Sequence, residues 1–245
     1  MSTAGPLLRE WRQRRRLSQL ELAMEAEVSA RHLSFVETGR SAPSREMVLH
    51  LAEHLAIPLR ERNALLIAAG YAPVFPERSL DDPALASARR AVDLVLAGHE
   101  PYPAIAIDRH WTLVAANSAV GAFMHVDDPS LLEPPINVLR VSLHPRGVAP
   151  RIANLGEWRA HILDRLRRQI DASGDAVLIA LLEELRAYPA PPPTRMRDYG
   201  GVVVPIELIT DDGIVAFFST TTIFGTPVDV TLSELAIEAF FPAPV

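Results

Sequence analysis

Apolar residues recur at helical spacing through the first 72 residues, in short blocks closed by polar turn signals. Leu7, Leu8 and Trp11 make a first stripe, and the basic run Arg12, Arg14, Arg15 and Arg16 follows it. Ser18-Gln19-Leu20-Glu21 is a capping box, in which the serine accepts from a free backbone N–H and Glu21 reaches back to the cap. The pattern therefore predicts a second helix starting at Gln19 and breaking near Glu27. Ser29 caps a third, with Leu33 and Val36 facing inward and Gly39 at its C′ position. Pro43-Ser44-Arg45-Glu46 opens a fourth, on which Val48, Leu51, Ala52 and Leu55 share a face. Pro58 opens a fifth, ending at Gly70.

Pro73 and Pro76 interrupt the pattern between Tyr71 and Asp82, which marks a linker. A helix is predicted over 83–97, with Ala88, Val92, Val95 and Leu96 on one face. Strands over 103–107 and 112–116 join around Asp108-Arg109-His110-Trp111, and Asn117 begins a short helix. Helices return over 157–172 (Trp158, Ile162, Leu166, Ile170) and 175–188 (Leu178, Leu181, Leu182, Leu185), followed by a stiff proline loop over 189–193. Gly200-Gly201 reads as a turn before a strand over 202–209, and Asp211-Asp212-Gly213 signals a hairpin to a second strand over 214–223. Thr231 and Glu234 read as a capping box for a last helix through Phe240. The expected class is α+β: an all-α five-helix domain over 1–72, a linker and connecting helix over 73–98, and an antiparallel sheet domain with covering helices over 99–245.

Composition narrows what such a chain does. The net charge of -6 hides a split, with ten Arg against eight Glu in residues 1–72 and fourteen Arg against twenty-two acids beyond. A mildly basic head on an acidic body is the asymmetry of a protein that meets DNA through one domain. Cysteine and lysine are both absent, which removes disulfides, thiolate catalysis, Schiff-base chemistry and the P-loop lysine. No apolar run reaches the ~18 residues of a membrane span, so a cytoplasmic protein without a membrane partner is expected. Nucleophile-elbow, dinucleotide and Walker glycine patterns are absent, and no catalytic residue, metal or cofactor is expected. His50-Leu51-Ala52-Glu53-His54 has the H-x-x-E-H spacing of inverted zinc proteases, but it falls on the fourth helix of a packed head with no third ligand in view. Arg159, Arg165, Arg167 and Arg168 read as a solvated basic face paired with the domain's excess acids rather than as a second DNA contact.

Two capped helices around a tight turn, within about forty residues, make the helix-turn-helix plan: the second helix offers its early residues to base edges while the first sets its N-terminus on a phosphate. Leu17-Ser18-Gln19-Leu20-Glu21-Leu22-Ala23, Val28-Ser29, Glu37-Thr38-Gly39-Arg40, Pro43-Ser44 and Leu51-Ala52 resemble the Xre/Cro-type, lambda-repressor-like DNA-binding domains. The resemblance implies that Gln19 contacts the DNA backbone, that Ser29, Ala30, Arg31, Ser34 and Phe35 lie on the reading face, and that Arg40 and Ser41 contact phosphates. Arg31 is the leading base reader, because its fork matches guanine O6 and N7, with a phosphate contact as its plainer alternative. Glu37 is expected to be a structural hydrogen-bonding residue.

Further on, Pro101-Tyr102-Pro103-Ala104, Asp108-Arg109-His110-Trp111, Ala115-Ala116-Asn117, Pro135-Ile136-Asn137-Val138-Leu139-Arg140, Leu143-His144-Pro145, Ala149-Pro150-Arg151, Glu157-Trp158-Arg159, Phe217-Phe218-Ser219-Thr220 and Phe224-Gly225-Thr226-Pro227 resemble the MmyB-type regulators. The resemblance implies a PAS-like sensor enclosing a small-molecule pocket. Trp111, Trp158, Phe217 and Phe218 are the candidate lining, and Asn117 and Arg140 the candidate orienting groups, each also having a plain structural reading as helix cap or ion pair. The expected function is a sequence-specific transcriptional regulator, homodimeric on its double-stranded operator, sensing a small apolar or amphipathic ligand. The alternative is an adaptor or antitoxin whose acidic body binds a protein partner.

Overall fold

Polar side chains take free amides where the second, third and fourth helices of the head begin. In the computed structural model, which describes residues 4–193 and 204–243, the first five helices are α1 (Ala4–Arg14), α2 (Gln19–Glu25), α3 (Ala30–Glu37), α4 (Arg45–His54) and α5 (Leu59–Ala68). Ser18, Ser29 and Ser44 cap α2, α3 and α4, and Ser18 and Glu21 close the capping box in both directions. Glu27 (φ 52°) turns the chain after α2 in the left-handed region that glycine more often fills, and Gly39 (φ 71°) does so after α3. Leu8, Trp11, Leu22, Leu33, Val36, Leu51, Leu55 and Leu65 form one apolar core beneath these helices.

Gly5 packs α1 against the end of α3. A Cβ there would sit 2.2 Å from the Val36 carbonyl oxygen and 2.9 Å from that of Glu37, both backbone atoms that cannot swing aside. Gly5→Ala should therefore destabilise the head by about 1–3 kcal/mol, although alanine is the better helix former. A urea midpoint at or above that of the wild type would contradict this packing.

Residues Met1–Arg78 with Thr226–Ser233 form one compact unit, and Ser79–Gly225 with Glu234–Val245 a second. The second unit is built on strands β1 (Ala104–Ile107), β2 (Leu113–Ala116), β3 (Ile206–Thr210), β4 (Gly213–Ile223) and β5 (Ala236–Ala243), all antiparallel in the order β2-β1-β5-β4-β3. Its helices are α6 (Ala86–Gly98), α7 (Val138–Leu143), α8 (Leu155–Ser173) and α9 (Ala176–Ala187). Trp158, Ile162 and Leu166 of α8 and Leu178, Leu181, Leu182 and Leu185 of α9 meet Ile105, Ile107, Ile206, Leu208 and Phe217 of the sheet in a second core. The class is α+β, as the periodicity predicts.

Three expectations need correction. The predicted last helix is instead the four-residue α10 (Val230–Ser233) followed by β5, the central strand between β1 and β4. Asp229 Oδ1 takes the Thr231 amide at 2.9 Å and the Thr231 hydroxyl donates to Arg78, so the supposed capping serves another end. Two full ladders then outweigh local helix propensity over 236–240. The six-residue α7 went unpredicted; Asn137 caps it through the amides of Leu139 and Arg140. Val95, expected inward, is 44% exposed, because α6 buries only the narrower stripe of Val92 and Leu96. Gly200-Gly201 and residues 202–203 of the predicted strand lie outside the described residues.

Candidate nucleic-acid interface and apolar cavity

The reading face is assembled around an ion pair. Arg12, in the supposed basic run, turns inward: its Nε donates to Glu37 Oε1 at 2.6 Å and its Nη2 to Oε2 at 2.8 Å, with side chains 9% and 1% exposed. Its Nη1 donates to the Leu17 carbonyl at 2.7 Å. Gln19 Nε2 adds a third bond to Glu37 at 2.7 Å, so one carboxylate ties α1, the start of α2 and the end of α3. Burial alone would raise the Glu37 pKa, but the hydrogen bonds from Arg12 and Gln19 outweigh it and hold the group below the ordinary carboxylate range.

This brace sets the two helices of the motif, and their outer residues fall together. Gln19 is the first residue of α2, half-buried against Glu37. Ser29 is the N-cap of α3, its hydroxyl accepting from His32 at 3.4 Å. Ala30 and Arg31 occupy the first turn, with Arg31 exposed, while Ser34 and Phe35 sit half-buried one turn on. The amides of Arg40 and Ser41 donate to the Phe35 carbonyl at 2.8 and 3.1 Å, which fixes the loop after α3. Both Arg31 and Arg40 place their guanidinium carbons over the Phe35 ring, at 5.4 and 6.0 Å from its centroid. Phe35 is thus an apolar platform beneath two cations. On α4, His50 Nε2 lies 2.7 Å from the Ala26 carbonyl and the His50 and His54 rings meet edge to face. Among the described residues no group of three His, Asp or Glu side chains is placed to hold a metal ion.

The second unit holds an apolar cavity of about 120 Å³ between the sheet and the segments covering it. Trp111 and Trp158 line it, with Val120, Phe123, Met124 and Phe240. Trp111 enters in an unusual conformation, at φ 67°, a region costly for a bulky side chain. The turn that holds it is tied by Asp108, whose carboxylate accepts the amides of His110 and Thr112 at 2.8 and 2.7 Å. Trp111 Nε1 donates to Gln169 at 2.9 Å, and Trp158 Nε1 donates to the Ser142 hydroxyl at 3.0 Å, so both rings are oriented by hydrogen bonds.

The polar side chains of the lining are the Arg165–Glu238 pair and the serines Ser142 and Ser219. Arg165 places its guanidinium 4.6 Å from the Trp111 centroid and pairs with both oxygens of Glu238, which is 3% exposed and also accepts from Thr221 at 2.8 Å. The expected pairing with an acid is present, but at the cavity rather than on a solvated face. The position of Arg165 seven residues after Trp158 and three after Ile162 places it beside the apolar stripe of α8, which is the signal that was available. Arg159 of the same run instead caps α9 by donating to the Leu185 and Arg186 carbonyls.

Four further candidates stand elsewhere. Asn117 clamps backbone: its Oδ1 accepts from Ala104 and its Nδ2 donates to Leu96 and Tyr102. Arg140 pairs with Glu184 of α9 at 2.8 Å. Phe217 is buried against Phe123 behind the lining, and Phe218 stacks on Phe241. None of the four is among the residues that line the cavity.

A helix-turn-helix head joined to a sheet domain with an oriented apolar cavity is the build of a DNA-binding regulator that answers to a small molecule. Residues 4–65 match the model of a helix-turn-helix domain, and residues 88–244 match that of the MmyB-like transcription regulator ligand binding domain. The chain belongs to the MmyB-like transcription regulators, binding DNA through its head and a ligand through its second domain, and these families are not enzymes. No curated protein matches it. No helix among the described residues is long and apolar enough to cross a membrane.

Proposed function

We propose that the chain is a cytoplasmic homodimer that reads a pseudo-palindromic operator through Arg31 and responds to a small apolar or amphipathic ligand held between Trp111 and Trp158. The observation that carries the ligand reading is the cavity itself: largely apolar walls, with one ion pair and two serines in the lining. Arg165 is already neutralised by Glu238, so the lining favours an uncharged hydrogen-bonding group over a free anion. At about 120 Å³ the cavity takes a group near the size of a benzene ring, and a longer chain requires the lining to give way. The DNA-binding domain is taken as residues 1–72 and 73–98 as linker and connecting helix, of which 73–78 pack with the first unit and the rest with the second.

On the DNA side, Arg31 is the base reader, while Gln19, Ser29, Arg40 and Ser41 meet the backbone and Ala30, Ser34 and Phe35 complete the surface. One head carries a single reading helix, so specificity is gained by pairing two across half-sites ~10 bp apart or a multiple of it. Arg31→Ala should lose ~1–3 kcal/mol on the selected operator and relax choice at one base pair, whereas Arg40→Ala should weaken all duplexes alike. Selection from a random duplex pool followed by binding titrations measures both. Equal loss on operator and random DNA would reassign Arg31 to the backbone.

The ligand reading is tested by titrating dodecanol, an apolar chain with one hydroxyl, into the full-length protein. Emission from Trp111 and Trp158 should change on binding, operator affinity should shift by ~5-fold or more, and Val141→Trp, which fills the cavity, should abolish both effects. Dodecanol bound without any change in operator affinity would favour the adaptor reading, in which the second domain holds a protein.

A further inference from the structure

Thr226–Ser233 joins two neighbouring strands of the second unit, yet it folds with the first. Val230 is 0% exposed, and its amide donates to the Pro76 carbonyl at 2.8 Å. Asp229 is buried and accepts from Arg78 Nη1 at 3.1 Å, while the Thr231 hydroxyl donates to the Arg78 carbonyl at 2.6 Å. Packing of α10 with α5 completes the attachment. The stretch also lies within the residues matched to the ligand-binding family, so its attachment to the head is visible only in three dimensions.

We propose that Thr226–Ser233 is a tether through which occupancy of the cavity reaches the DNA-reading helices. The inference rests on the ligand-regulated reading above. Both strands that feed the tether carry the cavity wall: Ser219 on β4, and Glu238 and Phe240 on β5. They stay paired to the last rung, Ile223 opposite Ala236, so the two ends of the tether leave from adjacent points. Only Phe224-Gly225 and Glu234-Leu235 separate those points from the attached stretch. With two residues between them, the rung and the attached stretch are three Cα steps, at most ~11 Å, apart, and the second pair has little slack: Glu234 faces Arg109 at 3.4 Å and Leu235 is buried. A displacement of Glu238 or Phe240 by a ligand therefore draws on α10, and through it on α5 and the head. Such a ligand acts only by favouring one of two arrangements, which the tether makes available to it.

The test uses the full chain, wild type against a variant with Thr226–Ser233 replaced by eight Gly and Ser residues. Dodecanol is the probe; tryptophan emission reports occupancy, and titration with the selected operator reports the response. Wild-type affinity should change by ~5-fold or more, and the variant, still binding dodecanol, should respond by less than ~2-fold. Equal responses would overturn the tether and leave ligand regulation standing, with residues 79–85 as the remaining covalent route. If dodecanol leaves wild-type emission or affinity unchanged, the ligand reading fails, and Glu238→Gln decides the tether alone. That substitution should alter hydrogen exchange at the Val230 amide and in α5 of the intact chain and leave α5 unaffected in the variant; unaltered exchange in the intact chain, or an equal α5 change in both, overturns the proposal. Should the replacement fail to fold, Asp229→Asn with Val230→Ala serves in the same comparison.

Discussion

Arg12→Ala is expected to cost the head about 3–5 kcal/mol, because it leaves Glu37 charged, buried and without its cation. Gln19 alone would face the carboxylate, and the Leu17 carbonyl would lose its donor as well. Since the same carboxylate ties α1, α2 and α3, operator binding should fail together with stability. Arg12→Met combined with Glu37→Leu removes both charges at similar volume and should recover most of the stability, which separates an unpaired charge from a lost contact. Urea unfolding followed by helical circular dichroism measures both, and a single-substitution cost below about 1 kcal/mol would remove the pair from its bracing role. The sign of the pH dependence follows from the depressed Glu37 pKa. The contribution of the pair is complete above the ordinary carboxylate value of ~4.3 and is lost as pH falls through the folded value, so the midpoint of the head should drop on acidification below ~4.

Arg165→Ala should have a comparable effect on the second unit. It strands Glu238 in the central strand, beside an apolar cavity, with only the Thr221 hydroxyl left to it. A loss of about 3–5 kcal/mol is expected, again relieved when Glu238→Leu accompanies Arg165→Met. That double variant keeps Trp111 and Trp158 but loses the ion pair of the lining, so it should still bind hexane-like probes while discriminating less between dodecanol and dodecane. Unfolding followed by tryptophan emission, with probe titrations on the folded double variant, checks the two parts separately. An Arg165→Ala variant as stable as the wild type would return Arg165 to the solvated face first assigned to it.

Much of the head is legible in the order of residues because its determinants are local. Ser18, Ser29 and Ser44 each cap within three residues of themselves, and the stripes Leu33, Val36 and Val48, Leu51, Ala52, Leu55 need only the helical period to find the core. The hairpin at Asp211-Asp212-Gly213 is equally local, and it pairs as the turn residues predict. Trp111 and Trp158 are legible as aromatics able to line a pocket, and the helical period puts Trp158 on an inward stripe, but nothing local tells them from Phe217 and Phe218, which do not line the cavity.

What lay beyond reach depends on partners far away in the chain. Arg12 finds Glu37 twenty-five residues on, Arg165 finds Glu238 seventy-three on, and a basic run gives no sign of which arginine will turn inward. Residues 236–240 carry a plausible helical pattern until β1 and β4 flank them, and only then do two ladders of backbone hydrogen bonds outweigh it. Thr226–Ser233 belongs by sequence to one unit and by packing to the other. Caps, periods and turns are energies of neighbours in sequence, so the sequence alone determined the five-helix head, its motif and most of the sheet strands. Ion pairs, the central strand, the cavity's polar lining and the attachment of α10 are energies of neighbours in space, and these the tertiary structure decided.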